Sequence, residues 1–165
     1  MEVLNQIIIK KGKNFEPVHF GVANTNEEKV DMFKLRYEIY VKKKSYIPQE
    51  LIKNNLEIDS YDESNSCEYF IAKINDQIIG TLRLIKMWPL PIIKNYFKFE
   101  ESEQIKKLKP EQKIEIGRLI SIGKSGDKYF PRHLIPLGLF YSVVKYSKMH
   151  DIEAGYGAIK KYVYG

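Results

Sequence analysis

Apolar and polar positions follow a helical period in one part of the chain and a strand period in others. Between Val30 and Tyr40 the apolar side chains recur at spacings of three and four residues, which predicts an amphipathic helix. Just before this helix, "TNEE" places Glu28 three residues after Thr25, the spacing of a capping box that opens a helix. The apolar run at residues 20–24 predicts a short strand that leads into the helix.

A β-hairpin is predicted where "EYFIAKI" and "QIIGTLRLIKM" are joined by a short polar turn. Both runs are rich in β-branched and aromatic residues, which favour strands. Arg83 lies between Leu82 and Leu84, so its side chain is expected on the opposite face of the strand. The following "WPLP" ends the strand, because proline has no N–H to donate.

The second half of the chain predicts a helix around "EESEQIKKLK", a strand over residues 113–122, a helix over 134–150 and a final strand near the C-terminus. Five side chains of the 134–150 helix form the predicted stripe: Leu134, Leu137, Tyr141, Val144 and Lys148. Gly138 is expected to admit a close neighbour. The order strand, helix, hairpin, strand, helix, strand predicts an α/β fold with a mixed sheet flanked by helices, in a single domain over residues 1–165.

Composition excludes several classes of protein. Among 165 residues there is one cysteine, Cys67, and three scattered histidines, so neither a disulfide nor a metal site is expected. No apolar run approaches the roughly 20 residues of a membrane span. The N-terminus lacks the pattern of a secretory signal, which predicts a cytoplasmic protein. The net charge of +6 suggests a polyanionic partner, but no nucleic-acid-binding motif accompanies the short lysine clusters, and no nucleic acid is expected.

Charged residues occur at unexpected places in this basic chain. The segment "LEIDSYD" contains three acids, Glu57, Asp59 and Asp62. Three arginines lie among apolar neighbours in predicted helix or strand interiors: Arg36, Arg83 and Arg118. Because arginine is seldom buried without a carboxylate partner, the sequence predicts one ionic cluster assembled from these distant segments.

The run "E-I-G-R" separates Glu115 from Arg118 by three residues, so a regular strand would direct the two side chains to opposite faces. A β-bulge near Gly117 would return both to one face and leave backbone N–H groups unpaired. The alternative is a regular edge strand in which Glu115 and Arg118 are unrelated.

The charged motifs, taken in order, resemble those of the acyl-homoserine-lactone synthases and the related N-acyl amino acid synthases. The matching residues are Arg36 with Tyr40 and Tyr46, "E-x-D-x-x-D" at 57–62, Arg83 in "GTLRLI", and "E-x-x-R" at 115–118. Lactone synthases usually have Phe at the position of Tyr40 and Trp at that of Tyr46. These departures, with "GTLRLI" and "GRLISI", favour the N-acyl amino acid synthase branch.

The resemblance implies an acyltransferase on the GNAT fold, with a central mixed, mostly antiparallel sheet splayed to admit a thioester. Similar proteins continue after the last strand with a helix and a closing hairpin, whereas this chain ends at "KKYVYG". We therefore expect the C-terminal part of the fold to be missing from this chain or supplied by a partner.

The resemblance also implies site residues. A fatty acyl thioester is attacked by the amine of an amino-acid-like acceptor, with Glu115 as the base, acting through water, and Glu57 as the second choice. Arg118 completes the catalytic group. The residues expected to bind the acceptor are Arg36, Tyr40, Tyr46, Asp59, Asp62 and Arg83. Backbone N–H groups near Leu119, Ile120 and Ser121 are expected to hold the oxyanion.

The acyl donor is expected on an acyl carrier protein or coenzyme A, with no tightly bound cofactor. The loop "GKSGDKYFPRH" lies where GNAT enzymes bind pyrophosphate but lacks the Arg/Gln-x-x-Gly-x-Gly/Ala form. This favours a carrier protein docked on Lys124, Lys128 and Arg132. Two alternatives stay open: an autoinducer synthase that uses S-adenosylmethionine, and a non-catalytic binding module with the same fold.

Overall fold

The computed structural model describes residues 1–11, 14–96, 100–125, 128–129, 131 and 133–158. Its strands are β1 (Glu2–Lys11), β2 (Asn14–Val22), β3 (Cys67–Ile74), β4 (Gln77–Ile85), β5 (Lys113–Ser121), β6 (Lys124–Ser125), β7 (Lys128–Tyr129) and β8 (Ala154–Gly157). Its α-helices are α1 (Asn26–Arg36), α2 (Ser60–Glu63), α3 (Glu103–Lys106) and α4 (Leu134–Met149). Further helical segments, of π or 3-10 geometry, cover Tyr37–Lys43, Gln49–Leu51, Ile92–Tyr96 and Pro110–Gln112.

Six strands form the main sheet, in the order β1-β2-β3-β4-β5-β8. All neighbours are antiparallel except β5 and β8, which run parallel. The predicted mixed, mostly antiparallel sheet and the β3–β4 hairpin are confirmed. β8 pairs only with residues 113–116 of β5. Over residues 117–121 the outer edge of β5 therefore has no strand beside it in the part of the chain that the structure describes.

Each face of the sheet is covered by a different helix. On one face, α4 packs on a large cluster that includes Phe20, Phe70, Leu82 and Leu84. On the other face, which we call the α1 face, Met32 of α1 packs on a smaller cluster with Tyr69 and Ile71. Most of the apolar core therefore lies under α4. The α1 face, to which Arg83 belongs by its alternation with Leu82 and Leu84, is left for polar groups.

The predicted stripe of α4 is on the wrong side of the helix. Leu137, Tyr141 and Val144 are exposed. The side chains that α4 buries are instead Ile135, Leu139, Ser142, Val143 and Tyr146, together with Gly138. This helix is apolar on most of its surface, so periodicity alone does not select the buried side. The close approach at Gly138 is confirmed, because an added Cβ would lie 2.3 Å from the ring of Phe20.

The predicted helix after Thr25 is confirmed, including its capping box with Glu28. It ends as an α-helix at Arg36 and continues as a π-helix over Tyr37–Lys43. Two expectations differ from the structure. The helix expected around residues 100–109 is limited to the four residues of α3. The strand expected over residues 20–24 is only the end of β2, and the sequence reasoning missed β1, whose run of three isoleucines hides the alternation of inward and outward side chains.

Candidate active site

The three arginines and three acids predicted to cluster form one closed ring of ion pairs on the α1 face. Each arginine binds two acids, and each acid binds two arginines. Around the ring the order is Arg36, Glu57, Arg118, Asp59, Arg83, Asp62 and back to Arg36. The ring joins four separate segments of chain and its formal charges cancel. The predicted ionic cluster is therefore confirmed.

The acidic segment owes its spacing to a helix cap. Asp59 is the N-cap of the short helix α2 and accepts hydrogen bonds from the N–H groups of Tyr61 and Asp62. Asp62 in turn accepts from the backbone N–H of Asp59 at 2.9 Å. This capping box fixes both carboxylates with their remaining lone pairs towards the arginines. The capping box and the three acids of the ring thus lie within the same seven residues, 56–62.

Arg36 is the most deeply buried member of the ring, with no exposed surface. Its two Nη atoms donate to the two carboxylate oxygens of Asp62, at 3.1 and 2.8 Å, and its Nε donates to Glu57. Burial opposes ionisation of Asp62, but the hydrogen bonds and charge of Arg36, and the charge of Arg83, hold the pKa of Asp62 below its ordinary value. Asp62 is therefore anionic at neutral pH.

Arg83 and Arg118 complete the ring from two adjacent strands. Arg83 Nη1 donates to Asp59 at 2.8 Å and to Asp62 at 2.9 Å. Arg118 Nη2 donates to Glu57 at 2.9 Å and to Asp59 at 3.0 Å. Arg118 has 29% of its side chain exposed, compared with 5% for Arg83. Arg118 is therefore the most exposed of the three ring arginines.

A β-bulge in β5 places Arg118 in the ring, as the "E-I-G-R" spacing predicts. The ladder pairs Arg83 with Gly117 and Thr81 with Ile120, so two residues of β5 lie opposite one residue of β4. Arg118 has a positive φ of 54°, a left-handed conformation that costs a non-glycine residue about 1–3 kcal/mol. Its hydrogen bonds to two carboxylates offset that cost. The alternative of a regular edge strand is wrong.

Glu115 lies on the same face as the ring but outside it. Its carboxylate accepts a hydrogen bond from the backbone N–H of Ile92 at 2.6 Å. Burial raises the pKa of Glu115 above its ordinary value, against the opposing effects of the Ile92 N–H and the charges of Arg83 and Arg118. By contrast, Glu57 accepts from arginines on both of its oxygens. Of the two predicted bases, Glu115 is the one that is not enclosed by cations.

Tyr40 connects the π-helix to the bulge. Its hydroxyl donates to the carbonyl of Leu119 at 2.9 Å, and the guanidinium carbon of Arg118 lies 5.8 Å from its ring centroid. Burial raises the pKa of Tyr40 to about 12, so the hydroxyl keeps its proton. The ring of Tyr46 stacks on that of Tyr40 at 6.3 Å. Tyr40 therefore lies beside Arg118, and Tyr46 packs on Tyr40.

Two buried donors near the bulge have no hydrogen-bond partner among the described residues, namely Thr81 Oγ1 and Arg83 Nε. An unsatisfied buried polar group costs about 1–3 kcal/mol, so few are retained in a folded protein. Both side chains belong to the α1 face of β4. Beside them, a Cβ built on Gly117 would meet no atom within 4 Å. The space over Gly117 is open, and its surroundings are polar.

The predicted donor-binding residues are only partly within the structure. Ser121 and Leu119 are exposed and Ile120 is buried. Lys124 and Lys128 belong to the short β6–β7 hairpin, but their side chains are outside the described part, as is the whole of Arg132. Their expected contact with a carrier protein stays a prediction.

Sequence reasoning missed a cavity of about 670 Å³ on the opposite face of the sheet, between α4, β5 and β8. Its walls include Ile114 and Ile116 of β5, Val143 and Ser147 of α4, and Ile152. The signal was present in β5, where isoleucines alternate with Lys113 and Glu115. Among the described residues no group of His, Cys, Asp and Glu side chains could hold a metal ion, and no helix is long and apolar enough to cross a membrane.

Several solved structures share this fold. The chain has 21% identity to the AHL synthase LasI (TM-score 0.59), covering 90% of this chain and 70% of LasI. It has 19% identity to BjaI, a CoA-dependent acyl-homoserine lactone synthase solved with SAM and isopentyl-CoA (TM-score 0.51), covering 75% of this chain and 56% of BjaI. A predicted acetyltransferase from Clostridium acetobutylicum, solved with acetyl-CoA, is 14% identical (TM-score 0.50), covering 87% of this chain and 82% of that one. These similarities confirm the GNAT fold.

Family membership comes from the sequence itself. No curated protein sequence matches this chain. The family model of the N-acyl amino acid synthase FeeM matches residues 31–161, a range that contains the whole ring, Glu115 and Tyr40. The enzymes of this family transfer an acyl group to an amine. The chain belongs to the FeeM N-acyl amino acid synthase family and is an acyltransferase of GNAT fold.

Proposed function

We propose that this protein transfers a fatty acyl group from a thioester to the α-amine of an amino acid, with Glu115 as the base. The observation that carries the proposal is the position of Glu115. It is two residues from Gly117, whose α1 face opens onto empty space, and it is the one acid of the predicted site that lies outside the ring. An acceptor amine in that space lies between the carboxylate of Glu115 and the outer edge of β5 at residues 117–121.

Glu115 removes a proton from the acceptor. An α-amine has a pKa of about 8, so most of it is protonated at neutral pH and must lose a proton before it attacks a thioester. A half-buried carboxylate with a raised pKa is a better proton acceptor than an ordinary one. The hydrogen bond from Ile92 orients it. In this mechanism the proton passes to Glu115 directly or through one water, and the thiolate leaves.

The oxyanion that forms during attack is held by the backbone of β5 beyond the bulge. The N–H of Ile122 donates to the carbonyl of Ile79 in β4. Because successive residues of a strand direct their N–H groups to opposite sides, the N–H of Ser121 points to the outer edge of β5. That edge has no strand beside it among the described residues. Of the three predicted residues, Ser121 is the one best placed to donate.

Arg118 binds the carboxylate of the acceptor in this proposal. Arg36 and Arg83 are buried and their Nη atoms are engaged by Asp62 and Asp59, whereas Arg118 has accessible surface. The Nε and Nη2 of Arg118 already donate to Glu57 and Asp59, so Nη1 is the nitrogen that donates to the acceptor carboxylate. Arg36, Arg83 and the acids Asp59 and Asp62 then hold Arg118 in place. Tyr40 and Tyr46 supply the wall beside it.

The acyl chain lies on the other side of the sheet, in the cavity under α4. From Ser121 to Ile116 the strand advances roughly 16 Å at about 3.3 Å per residue. Only a long acyl chain spans that distance and reaches the isoleucine and valine side chains of the cavity of about 670 Å³, which Lys148, Asp151 and Glu153 also line. The cavity therefore favours fatty acyl groups over acetyl. We propose acyl carrier protein as the donor, docked on the cations of residues 124–132.

Purified protein incubated with a fatty acyl thioester and a mixture of amino acids tests the proposal by mass spectrometry. Acyl carrier protein and coenzyme A are compared as carriers in parallel. We expect an N-acyl amino acid and a free thiol in equal amounts. The same reaction with S-adenosylmethionine tests the autoinducer alternative, for which an acylated lactone and methylthioadenosine are expected. No acylated product with any acceptor would favour a non-catalytic binding module and overturn the proposal.

A further inference from the structure

A second cavity, of about 320 Å³, lies on the same face as Glu115 and has no role in the mechanism above. It is lined by Trp88, Ile93, Glu100, Glu101 and Lys106. Ile93 follows Ile92, whose N–H binds Glu115, so the cavity lies next to the proposed base. Trp88 is the only tryptophan of the chain.

The cavity wall is fixed by Lys113, whose side chain is almost fully buried. Its ammonium group lies 5.1 Å from the ring of Trp88 and binds both oxygens of Glu101, at 3.0 and 3.2 Å. The hydroxyl of Tyr156 donates to the same carboxylate. A buried ammonium that contacts an aromatic ring and a carboxylate holds both in one place. The charges of Lys113 and Glu101 cancel and Lys106 pairs with Glu103, so Glu100 gives the lining its remaining negative charge.

The positions of the cavity and the proposed site match an α-amino acid. Lys113, Glu115 and Gly117 alternate along β5, so their side chains share one face at intervals of about 7 Å. Arg118 lies at the Gly117 end of this row and the Trp88 cavity at the Lys113 end. Around the α-carbon of an acceptor, the amine then meets Glu115, the carboxylate meets Arg118, and the side chain extends towards Trp88.

The chemistry of the lining selects the kind of side chain. Trp88 and Ile93 supply an apolar surface, and about 320 Å³ is near the lower limit of ligand pockets, enough for one side chain. Glycine would leave this volume empty and gain nothing from it. A negatively charged side chain would lose its hydration and meet the charge of Glu100, because Lys113 and Glu101 already neutralise each other.

From this geometry we propose that the Trp88 cavity binds the side chain of the acceptor and selects amino acids with a large apolar side chain. The inference rests on the proposed function, since it assigns the acceptor amine to Glu115. Trp88 is thereby a residue that determines specificity, and Lys113 a positioning residue that acts through Trp88 and Glu101.

The fluorescence of Trp88 reports on the cavity without any turnover. With L-leucine as the probe, we expect a saturable change in the tryptophan emission, and with glycine at the same concentration no change. Ile93→Arg places a charge in the cavity and should abolish the response, with circular dichroism to verify folding. Ile93→Phe, a milder variant that narrows the cavity, should weaken it. Phe15→Ala, at an exposed aromatic residue of β2, is the matched control and should respond as the wild type. A flat response to leucine in the wild type would overturn the inference.

Competition between leucine and glycine for the same acyl donor provides the second measurement. We expect the wild type to form N-acyl leucine in excess, and Trp88→Ala to lower the leucine-to-glycine product ratio by at least about tenfold, the scale on which a pocket discriminates side chains. An unchanged ratio would overturn the inference even if N-acyl amino acids form. A fluorescence response to leucine without any N-acyl product would instead overturn the proposed function and retain the cavity as an amino-acid site.

Discussion

Arg36 and Asp62 form two parallel hydrogen bonds, at 3.1 and 2.8 Å, between a guanidinium and a carboxylate that are both inaccessible to solvent. Because a buried charge without its partner is unfavourable, Arg36→Met should lower the free energy of unfolding by about 3–5 kcal/mol. Arg36→Lys keeps the charge but loses the fork, and we expect an intermediate loss. Urea unfolding measures both. Lys42→Met, which breaks the exposed pair with Glu38, is the control and should behave as the wild type.

The same pair makes stability depend on pH in the acid range. The pKa of Asp62 is lower in the folded protein than in the unfolded chain, so the unfolded chain takes up the proton first. The contribution of Asp62 is therefore complete above about pH 4, the ordinary range of an aspartate, and is lost as the pH falls through the lower folded value. Urea unfolding between neutral pH and about pH 3 should show this decline, and Asp62→Asn should show a weaker one. A decline of equal size in both proteins would contradict the assignment. Asp31→Asn, at an exposed pair, is the control.

Glu115→Gln should lower kcat by about 10²–10⁴-fold, the usual contribution of a general base. In the wild type the rate should rise with pH through the pKa of Glu115, because only the carboxylate accepts a proton, and that rise should occur above the ordinary range of a glutamate. In Glu115→Gln this limb of the pH profile should be absent. Glu111→Gln, at an exposed residue just before β5, is the matched control. A wild-type rate in Glu115→Gln would exclude Glu115 as the base.

Tyr40→Phe removes one hydroxyl and leaves the Leu119 carbonyl without its donor. This hydrogen bond is exposed, so water replaces part of the lost donor, and a net loss of about 0.5–1.5 kcal/mol should let the bulge shift and lower kcat by roughly two- to tenfold. The KM for the amine should change less, since Arg118 keeps its two carboxylates. Steady-state kinetics separates the two effects. Tyr141→Phe, at an exposed tyrosine of α4, should leave both constants unchanged.

The cavity under α4 predicts chain-length selectivity. Ser147→Phe fills part of it, so activity with long acyl thioesters should fall while shorter thioesters are affected less. The measurement is a competition between thioesters of different chain length. Mass spectrometry of the products gives the ratio of long-chain to short-chain product. Leu137→Phe adds bulk on the exposed side of the same helix and is the control. If Ser147→Phe reduced all chain lengths equally, the acyl chain would lie elsewhere.

The ionic ring and the bulge could be predicted because in both places a charged residue does not fit the regular element that its neighbours predict. Arg83 among leucines requires a carboxylate, and Glu115 three residues from Arg118 requires an irregular strand if the two are to share a face. A mismatch of this kind depends only on residue type and local spacing, and both can be read from the sequence. The pairing order within the ring could not be read in this way, because it depends on the capping box at Asp59.

What the sequence did not show depends on packing between distant segments. In α4, Leu137 and Val143 are both apolar, and the side that is buried is the one on which Gly138 meets Phe20 and Val143 joins the core cluster. The cavity at Trp88 exists because Lys113 meets Glu101 across twelve residues, a contact without local periodicity. Neither the buried side of α4 nor the Trp88 cavity can be recognised from the residue pattern of a single segment.

The closed ring also determines which loops of this enzyme can change in length. Segments 44–59 and 86–112 are both connections between longer elements, where insertions are usually tolerated if the chain is exposed. The first carries Glu57 and Asp59 to partners on three different elements, so one added residue would break four of the six links at once. The second carries no ring member. In a library of random insertions, we expect the acidic loop to be as intolerant as a core strand.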